Sequence, residues 1–285
     1  VPPGSAAEFR IEGLTDAVTA WKEAGAKIAF VPTMGALHEG HLSLITIARR
    51  QAPRVVASIF VNPTQFAPHE DFASYPRHPE RDGALLARAG CDLLFIPDRE
   101  TVYPEGFGTW IDPQGAALGL ESAFRPHFFR GVATVVARLF MLVRPDIAIF
   151  GEKDAQQLAV VRQLVRDFAF PVEIVGGPIV READGLAMSS RNAYLTSAER
   201  QRAARLSRSL ARARALFEQG ERKGETLCEA VTLELAGDPE IALQYVAVVD
   251  PDSFVQLHEI QHRALVVLAA KLGTTRLIDN VRLEG

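Results

Sequence analysis

Between residues 26 and 178, short β-rich apolar runs alternate with longer segments of helical spacing, and few folds accommodate that alternation. The runs AKIAFVP (26–32), RVVASIFVNP (54–63), CDLLFIP (91–97), DIAIFGE (146–152) and VEIVGGP (172–178) read as buried strands bounded by Gly and Pro. HLSLITIARRQ (41–51), PERDGALLARAG (79–90), GVATVVARLFMLVRP (131–145) and KDAQQLAVVRQLVRDFAF (153–170) read as helices; 98–130 reads as irregular. Apolar strands joined through helices need cover on both faces. The spacing therefore predicts an α/β fold, a doubly wound, Rossmann-like parallel sheet. Ligands bind such sheets outside the carboxyl ends of the strands, which directs attention to the loops 33–40, 62–77 and 150–154.

After about 180 the pattern changes. TSAERQRAARLSRSLARARALFEQ (196–219) reads as a long helix and 225–236 as a second helical stretch, with strands at 241–250, 264–273 and 275–283. The expected organisation is a Rossmann-like domain over 1–178 and a smaller α+β lid domain over 179–285.

A chain of 285 residues, 48% of them hydrophobic, has room for about two domains and a core that needs no disulfide or metal staple. Its formal net charge of −4 argues against general nucleic-acid binding. The Arg-rich helix at 196–219 lacks interleaved aromatics, so it reads as a solvated face. Cys91 and Cys228 lack metal-type spacing, which suits buried thiols in a reducing compartment, the cytoplasm. No window approaches 18 uninterrupted apolar residues, so no membrane span is expected. VPPGSAAEF (1–9) lacks the basic start and apolar stretch of a signal peptide.

Four segments carry candidate chemistry. In FVPTMGALHEGHLSLI (30–45), a strand turns through Gly35 and Gly40 into a helix, with His38 and His41 three residues apart at the turn. Unpaired N–H groups at the helix start favour an anion, and two imidazoles can add donors to a phosphate. A zinc reading fails for want of a third ligand at suitable spacing. In FGEKDAQQL (150–158), Lys153 lies beside a helix start, where its charge opposes the helix dipole and so points to an anionic ligand. There Asp154 can accept ribose hydroxyls and Gln157 can bond a polar substrate. In READGLAMSSRNAYL (181–195), Ser189, Ser190 and Arg191 suit a polyphosphate. In FVNPTQF (60–66), Asn62 and Gln65 place amides between aromatics, a setting for a small polar molecule with an aliphatic body.

The residues alone leave several readings open. A nucleotidyltransferase acting on a phosphorylated alcohol would share the histidines but not account for both amide-bearing segments. A class I tRNA synthetase fragment would need room for an anticodon-binding domain. A nucleotide sensor with a degenerate site would have little use for so many polar side chains.

Taken together, PTMGALHEGH, VNPTQF, YPR, RP…FRGV, VRPDIAIFGEKDAQQL and DGLAMSSRNAYL resemble the pantoate–β-alanine ligase family, in the family's order and over most of 30–195. That family is related to nucleotidyltransferases and class I aminoacyl-tRNA synthetases, in which a His-x-Gly-His turn and a second loop embrace ATP; AMSSR takes the second role here. The resemblance implies ATP contacts at Met34, Gly35, Ala36, Leu37, His38, Glu39, Gly40 and His41. It implies further ATP contacts at Gly151, Glu152, Lys153, Asp154 and Val180, and at Met188, Ser189, Ser190 and Arg191. His41 would be the proton donor. Gln65 and Gln157 would hold pantoate, with Gln65 also near β-alanine and with Asn62 and Arg125 as further substrate contacts. Asp82 would lie near Mg²⁺ arriving with ATP, and a homodimer through the N-terminal domain is implied. One motif departs: the family's usual Arg-Pro-Gly-His-Phe-Arg-Gly-Val reads RPHFFRGV here, with His127 for Gly and Phe128 for His. The role of that family histidine is not carried over.

The implied chemistry has two steps. Pantoate attacks the α-phosphorus of ATP, giving pantoyl adenylate and pyrophosphate; the amine of β-alanine then attacks the acyl carbon and AMP leaves. His38, His41, Lys153, Ser189, Ser190 and Arg191 can supply positioning and charge stabilisation, so no protein nucleophile is expected. The adenylate must be shielded from water, so the AMSSR segment is expected to close over it.

Overall fold

The computed structural model describes residues 7–9, 11–67 and 70–285. The first six residues, part of the stretch read for signal character, lie outside the described residues. In chain order the elements are β1 (Ala7–Phe9), α1 (Ile11–Glu23), β2 (Ile28–Thr33), α2 (Glu39–Gln51), β3 (Arg54–Ile59), α3 (Pro79–Ala89), β4 (Leu93–Phe95), α4 (Arg99–Val102), α5 (Glu121–Phe124) and α6 (Phe128–Val143). They continue with β5 (Ile147–Gly151), α7 (Ala155–Asp167), β6 (Glu173–Gly177), α8 (Ser197–Glu218), α9 (Gly224–Ala236), β7 (Ile241–Val249), β8 (Arg263–Leu272) and β9 (Thr275–Glu284).

The chain divides into two compact units, Val1–Gly151 with Val160–Gly177, and Glu152–Ala159 with Pro178–Gly285. The segment that bears Lys153 thus groups with the later part of the chain, a return that a single boundary near 178 does not foresee.

The first unit is the expected parallel sheet, in the order β1-β4-β3-β2-β5-β6. Its strands are apolar because both faces are covered; Ile28, Ala29, Phe30, Val31, Val55, Val56 and Ile149 are fully buried. The strand order reverses between β2 and β5. There the register pairs only Ala29 with Ile147 and Phe30 with Ala148. β2 stays paired with β3 as far as Thr33, and β5 with β6 as far as Gly151. The two central strands therefore separate toward their carboxyl ends, which is the crevice a switch point provides.

β1 and α1 precede the elements expected from the sequence. Three residues carry no readable strand period, whereas Leu14 and Val18 on α1 are fully buried at i, i+4 spacing. α6 begins three residues earlier than expected, with Gly131 inside its first turn. A Cβ there would lie 2.7 Å from the Thr64 carbonyl oxygen. The glycine that looks like a boundary instead permits close approach of helix and loop.

The second unit packs α8 and α9 against the antiparallel sheet β7-β8-β9. Its core includes Leu206, Leu210, Leu227, Val231, Val266 and Leu268. α8 opens with a capping box between Thr196 and Glu199. Several of its arginines meet carboxylates within the unit: Arg200 pairs with Glu182 and Asp184, Arg202 with Asp238, and Arg214 with Glu218. Among the described residues no helix is long and apolar enough to cross a membrane.

Candidate active site

The turn after β2 is held from below by a buried carboxylate. Gly35 and Ala36 both have positive φ, 84° and 51°. This turns the Ala36 and Leu37 amides onto Asp82 of α3, at 2.7 Å to Oδ2 and 3.0 Å to Oδ1. A Cβ at Gly35 would lie 3.0 Å from the Ile59 side chain and 3.2 Å from Asp82 Oδ2, so the position demands glycine for space as well as for conformation. Asp82 is 1% exposed, and each of its oxygens is on a backbone amide. Among the described residues no group of three or more His, Cys, Asp or Glu could hold a metal ion.

The turn leads into α2, whose first residues are capped by the two histidines. His38 is the extended N-cap residue, and its Nδ1 accepts the Gly40 N–H at 3.2 Å. His41, at the third helical position, accepts the His38 N–H on its own Nδ1 at 3.3 Å. This is a capping box built from imidazoles in place of the usual hydroxyl and carboxylate. The ring centroids are 4.1 Å apart. Because each Nδ1 is an acceptor, each neutral ring carries its proton on Nε2.

A second cluster follows β3. Asn62 is 1% exposed, and its Oδ1 accepts from the Thr64 N–H, the Thr64 hydroxyl and the Tyr103 hydroxyl, while its Nδ2 donates to the Gly131 carbonyl. Burial raises the Tyr103 pKa above the ordinary phenol value. Asn62 thus ties the loop to α6. Gln65, three residues on, is 8% exposed. Its backbone carbonyl accepts Arg125 Nη2 at 2.8 Å, while its side-chain amide makes no hydrogen bond among the described residues.

Arg125 itself is engaged on all sides. Its Nε and Nη2 meet the two carboxylate oxygens of Glu70 at 2.8 and 2.9 Å, and Glu121 lies 3.8 Å from Nη1. The Phe128 ring covers the guanidinium, 4.0 Å from centroid to Cζ. Of the two residues that depart from the family motif, Phe128 is therefore the one stacked on Arg125. Glu70 was not singled out from sequence, since nothing in a lone loop glutamate announces a partner 55 positions away.

The other candidates belong to the second unit, except Gly151, which ends β5. Glu152, Lys153 and Asp154 form a 3₁₀ turn before α7, which carries Gln157. The Lys153 ammonium makes no hydrogen bond or ion pair among the described residues. The Asn280 amide nitrogen of β9 donates to the Glu152 and Lys153 carbonyls at 2.9 and 3.0 Å.

Val180 and Met188 face each other in a hairpin, with the Met188 N–H on the Val180 carbonyl at 2.9 Å and Arg181 bridged to Ala187. Ser189 caps the 3₁₀ turn Ser190–Tyr194 by accepting the Arg191 N–H. The hairpin is braced twice. Arg181 makes a two-pronged pair with Asp279, at 2.7 and 2.9 Å. Arg200 grips Glu182 and Asp184. The Arg200 hydrogen bonds hold the Glu182 carboxyl below its ordinary pKa. Burial raises that of Asp279, against the opposing pull of Arg181. Asp279 and Asn280 were also missed in the sequence; the signal was an adjacent Asp-Asn pair in a strand, where both residue types are depleted.

Comparison with known proteins follows the same lines. A family model described as pantoate-beta-alanine ligase matches residues 9–282. The pantothenate synthetase of Heliobacterium modesticaldum is 51% identical over 271 residues, covering 94% of this chain and 96% of the relative. A crystal structure of pantothenate synthetase from Thermus thermophilus superposes with a TM-score of 0.91 at 48% identity, covering 96% of this chain and 98% of that one. A pantoate-beta-alanine ligase from Francisella tularensis, complexed with beta-gamma ATP and beta-alanine, superposes at 0.79 with 33% identity, covering 97% of each chain.

Proposed function

The chain belongs to the pantoate–β-alanine ligase family, and from that premise we propose how its own residues perform the reaction. The activity is ATP-dependent ligation of pantoate and β-alanine to pantothenate through an adenylate intermediate. A carboxylate is a poor acyl donor because oxide would have to leave. Transfer of adenylate to the pantoate carboxylate releases pyrophosphate and converts that oxygen into part of a good leaving group. The amine of β-alanine then forms the amide bond as the acyl–oxygen bond breaks and AMP departs.

In this proposal the α-phosphate lies over the start of α2, where the Nε2–H groups of His38 and His41 donate to its oxygens. His41 is the proton donor. The 34–41 turn contacts the nucleotide, while Lys153, Ser189, Ser190 and Arg191 neutralise the β- and γ-phosphates. Asp154 and Val180 contact the nucleoside. Gln65 and Gln157 hold pantoate, with Gln65 also beside β-alanine, while Asn62 and Arg125 support the loop that presents Gln65. Orientation of two bound reactants can supply roughly 7–11 kcal/mol. Loss of one aimed donor costs about 3–4 kcal/mol. These effects account for rate enhancement without a covalent protein intermediate.

The observation that carries the substrate assignment is Gln65. Gln65 is 8% exposed, and its side-chain amide, uncommitted to any hydrogen bond among the described residues, is available to a polar ligand. Each Asp82 oxygen accepts one backbone amide and keeps further acceptor capacity, so Asp82 would lie near Mg²⁺ that the triphosphate brings with it. The triphosphate itself would supply most of the ion's oxygen ligands. We further propose a homodimer formed through the N-terminal domain and a cytoplasmic setting, in keeping with two free thiols.

The test is the substrate dependence of pyrophosphate release. Purified protein with ATP and Mg²⁺ should release pyrophosphate when pantoate is added, with β-alanine unnecessary for the first turnover. Release that ignores pantoate would overturn the proposal.

A further inference from the structure

We propose that Asn280 is a positioning residue for adenylate formation, holding the Lys153 turn in register with the hairpin that leads into Met188–Arg191. The proposal rests on the assignment of Lys153 to the phosphates. β9 is an edge strand, and two adjacent residues on it grip two segments far apart in sequence. Asn280 donates through Nδ2 to the Glu152 and Lys153 carbonyls at 2.9 and 3.0 Å. Its neighbour Asp279 takes both prongs of Arg181, whose Nη2 also donates to the Asn280 carbonyl at 3.2 Å. Arg181 Nη1 reaches the Gly185 carbonyl at 3.0 Å, closing the hairpin on itself. The Asn280 N–H in turn donates to Asp279 Oδ1 at 2.7 Å.

Asp279 is 2% exposed and Asn280 4%. An apolar pair would hold a strand against its neighbours at lower cost, since buried polar groups must first recover their lost hydration. What the polar pair adds is direction: each bond is satisfied only when both gripped segments occupy one geometry. A flexible lysine needs a fixed backbone if its ammonium is to meet a phosphate repeatedly, and two successive carbonyls tied to one amide fix that backbone on either side of the Lys153 α-carbon. Neither Asp279 nor Asn280 is proposed to touch substrate.

The experiment compares wild type, Asn280→Ala, Lys153→Ala and the double variant in single-turnover pyrophosphate release, with KM for pantoate measured alongside. Asn280→Ala should slow release on the order of 100-fold, the loss expected for a displaced catalytic group, with KM for pantoate unchanged. In the Lys153→Ala background it should cause no further loss. Asn280→Ser, which keeps one donor, should restore an intermediate rate, and it carries the same comparison if Asn280→Ala does not fold. An equal loss in both backgrounds would mark Asn280 as merely structural and overturn the proposal. Near-normal release by Lys153→Ala alone would instead remove the Lys153 assignment and the proposal with it.

Discussion

His41 accepts the backbone N–H of His38 on its Nδ1, and His38 accepts on its own Nδ1 the N–H of Gly40, two residues on. The two imidazoles are therefore helix caps before they are anything else, and the cap fixes which nitrogen carries the proton. Cap and chemistry can be separated. His41→Gln keeps a side-chain acceptor at the position where glutamine ordinarily completes a capping box. It should retain stability while losing most adenylate formation. His41→Ala should lose both, with about 0.5–2 kcal/mol of stability gone with the cap. Chemical denaturation and pyrophosphate release distinguish them; normal turnover by His41→Gln would contradict the assignment.

The Arg125–Glu70 pair governs the loop that presents Gln65. Both side chains are largely buried, at 12% and 19% exposure, so removing one partner leaves an uncompensated charge. Arg125→Ala should cost on the order of 3 kcal/mol. Arg125→Lys keeps the charge but not the two-pronged geometry. It should fold and raise KM for pantoate more than KM for ATP. An unchanged pantoate KM in a folded Arg125→Lys variant would separate the clamp from the substrate loop.

Acid stability should report the brace on the hairpin. Arg200 hydrogen bonds hold the folded-state pKa of Glu182 below its ordinary value. Asp184 is also lowered: burial pushes its pKa up, but the Leu186 amide and Arg200 outweigh it. The unfolded chain then takes up protons at higher pH than the folded one, so this stabilisation is full above the ordinary carboxylate range and fades as pH falls through the depressed values. Arg200→Met should be less stable than wild type near neutrality, with the difference shrinking in acid. A difference independent of pH would contradict the linkage.

The thiols should be spectators. Burial pushes the Cys91 pKa up to about 12, and the thiol donates to the Leu93 carbonyl at 3.0 Å. Thiolate is the reactive form. Iodoacetamide at neutral pH should leave activity intact and label Cys91 only in denaturant. Labelling of Cys91 in the native protein, followed by mass spectrometry, would contradict this.

The strand–helix alternation was legible because a sheet covered on both faces needs apolar strands, and the turn after β2 needs Gly35 where it stands. The three-residue β1 was not legible, having no period to read. The histidines were visible as a pair, but sequence spacing could not show that their Nδ1 atoms cap α2. Arg125 was visible as a cation; its engagement by Glu70 depends on a contact 55 residues away, which no local pattern encodes. Asp279 and Asn280 are residue types that strands disfavour, and their partners Arg181, Glu152 and Lys153 became apparent only once β9 was in place.

The most direct measurement follows oxygen. Pantoate labelled with ¹⁸O in its carboxylate, incubated with the protein, ATP, Mg²⁺ and β-alanine, should transfer one label to AMP and none to pyrophosphate. Unlabelled AMP, or label appearing in inorganic phosphate with ADP as co-product, would contradict attack on the α-phosphorus and with it the adenylate route.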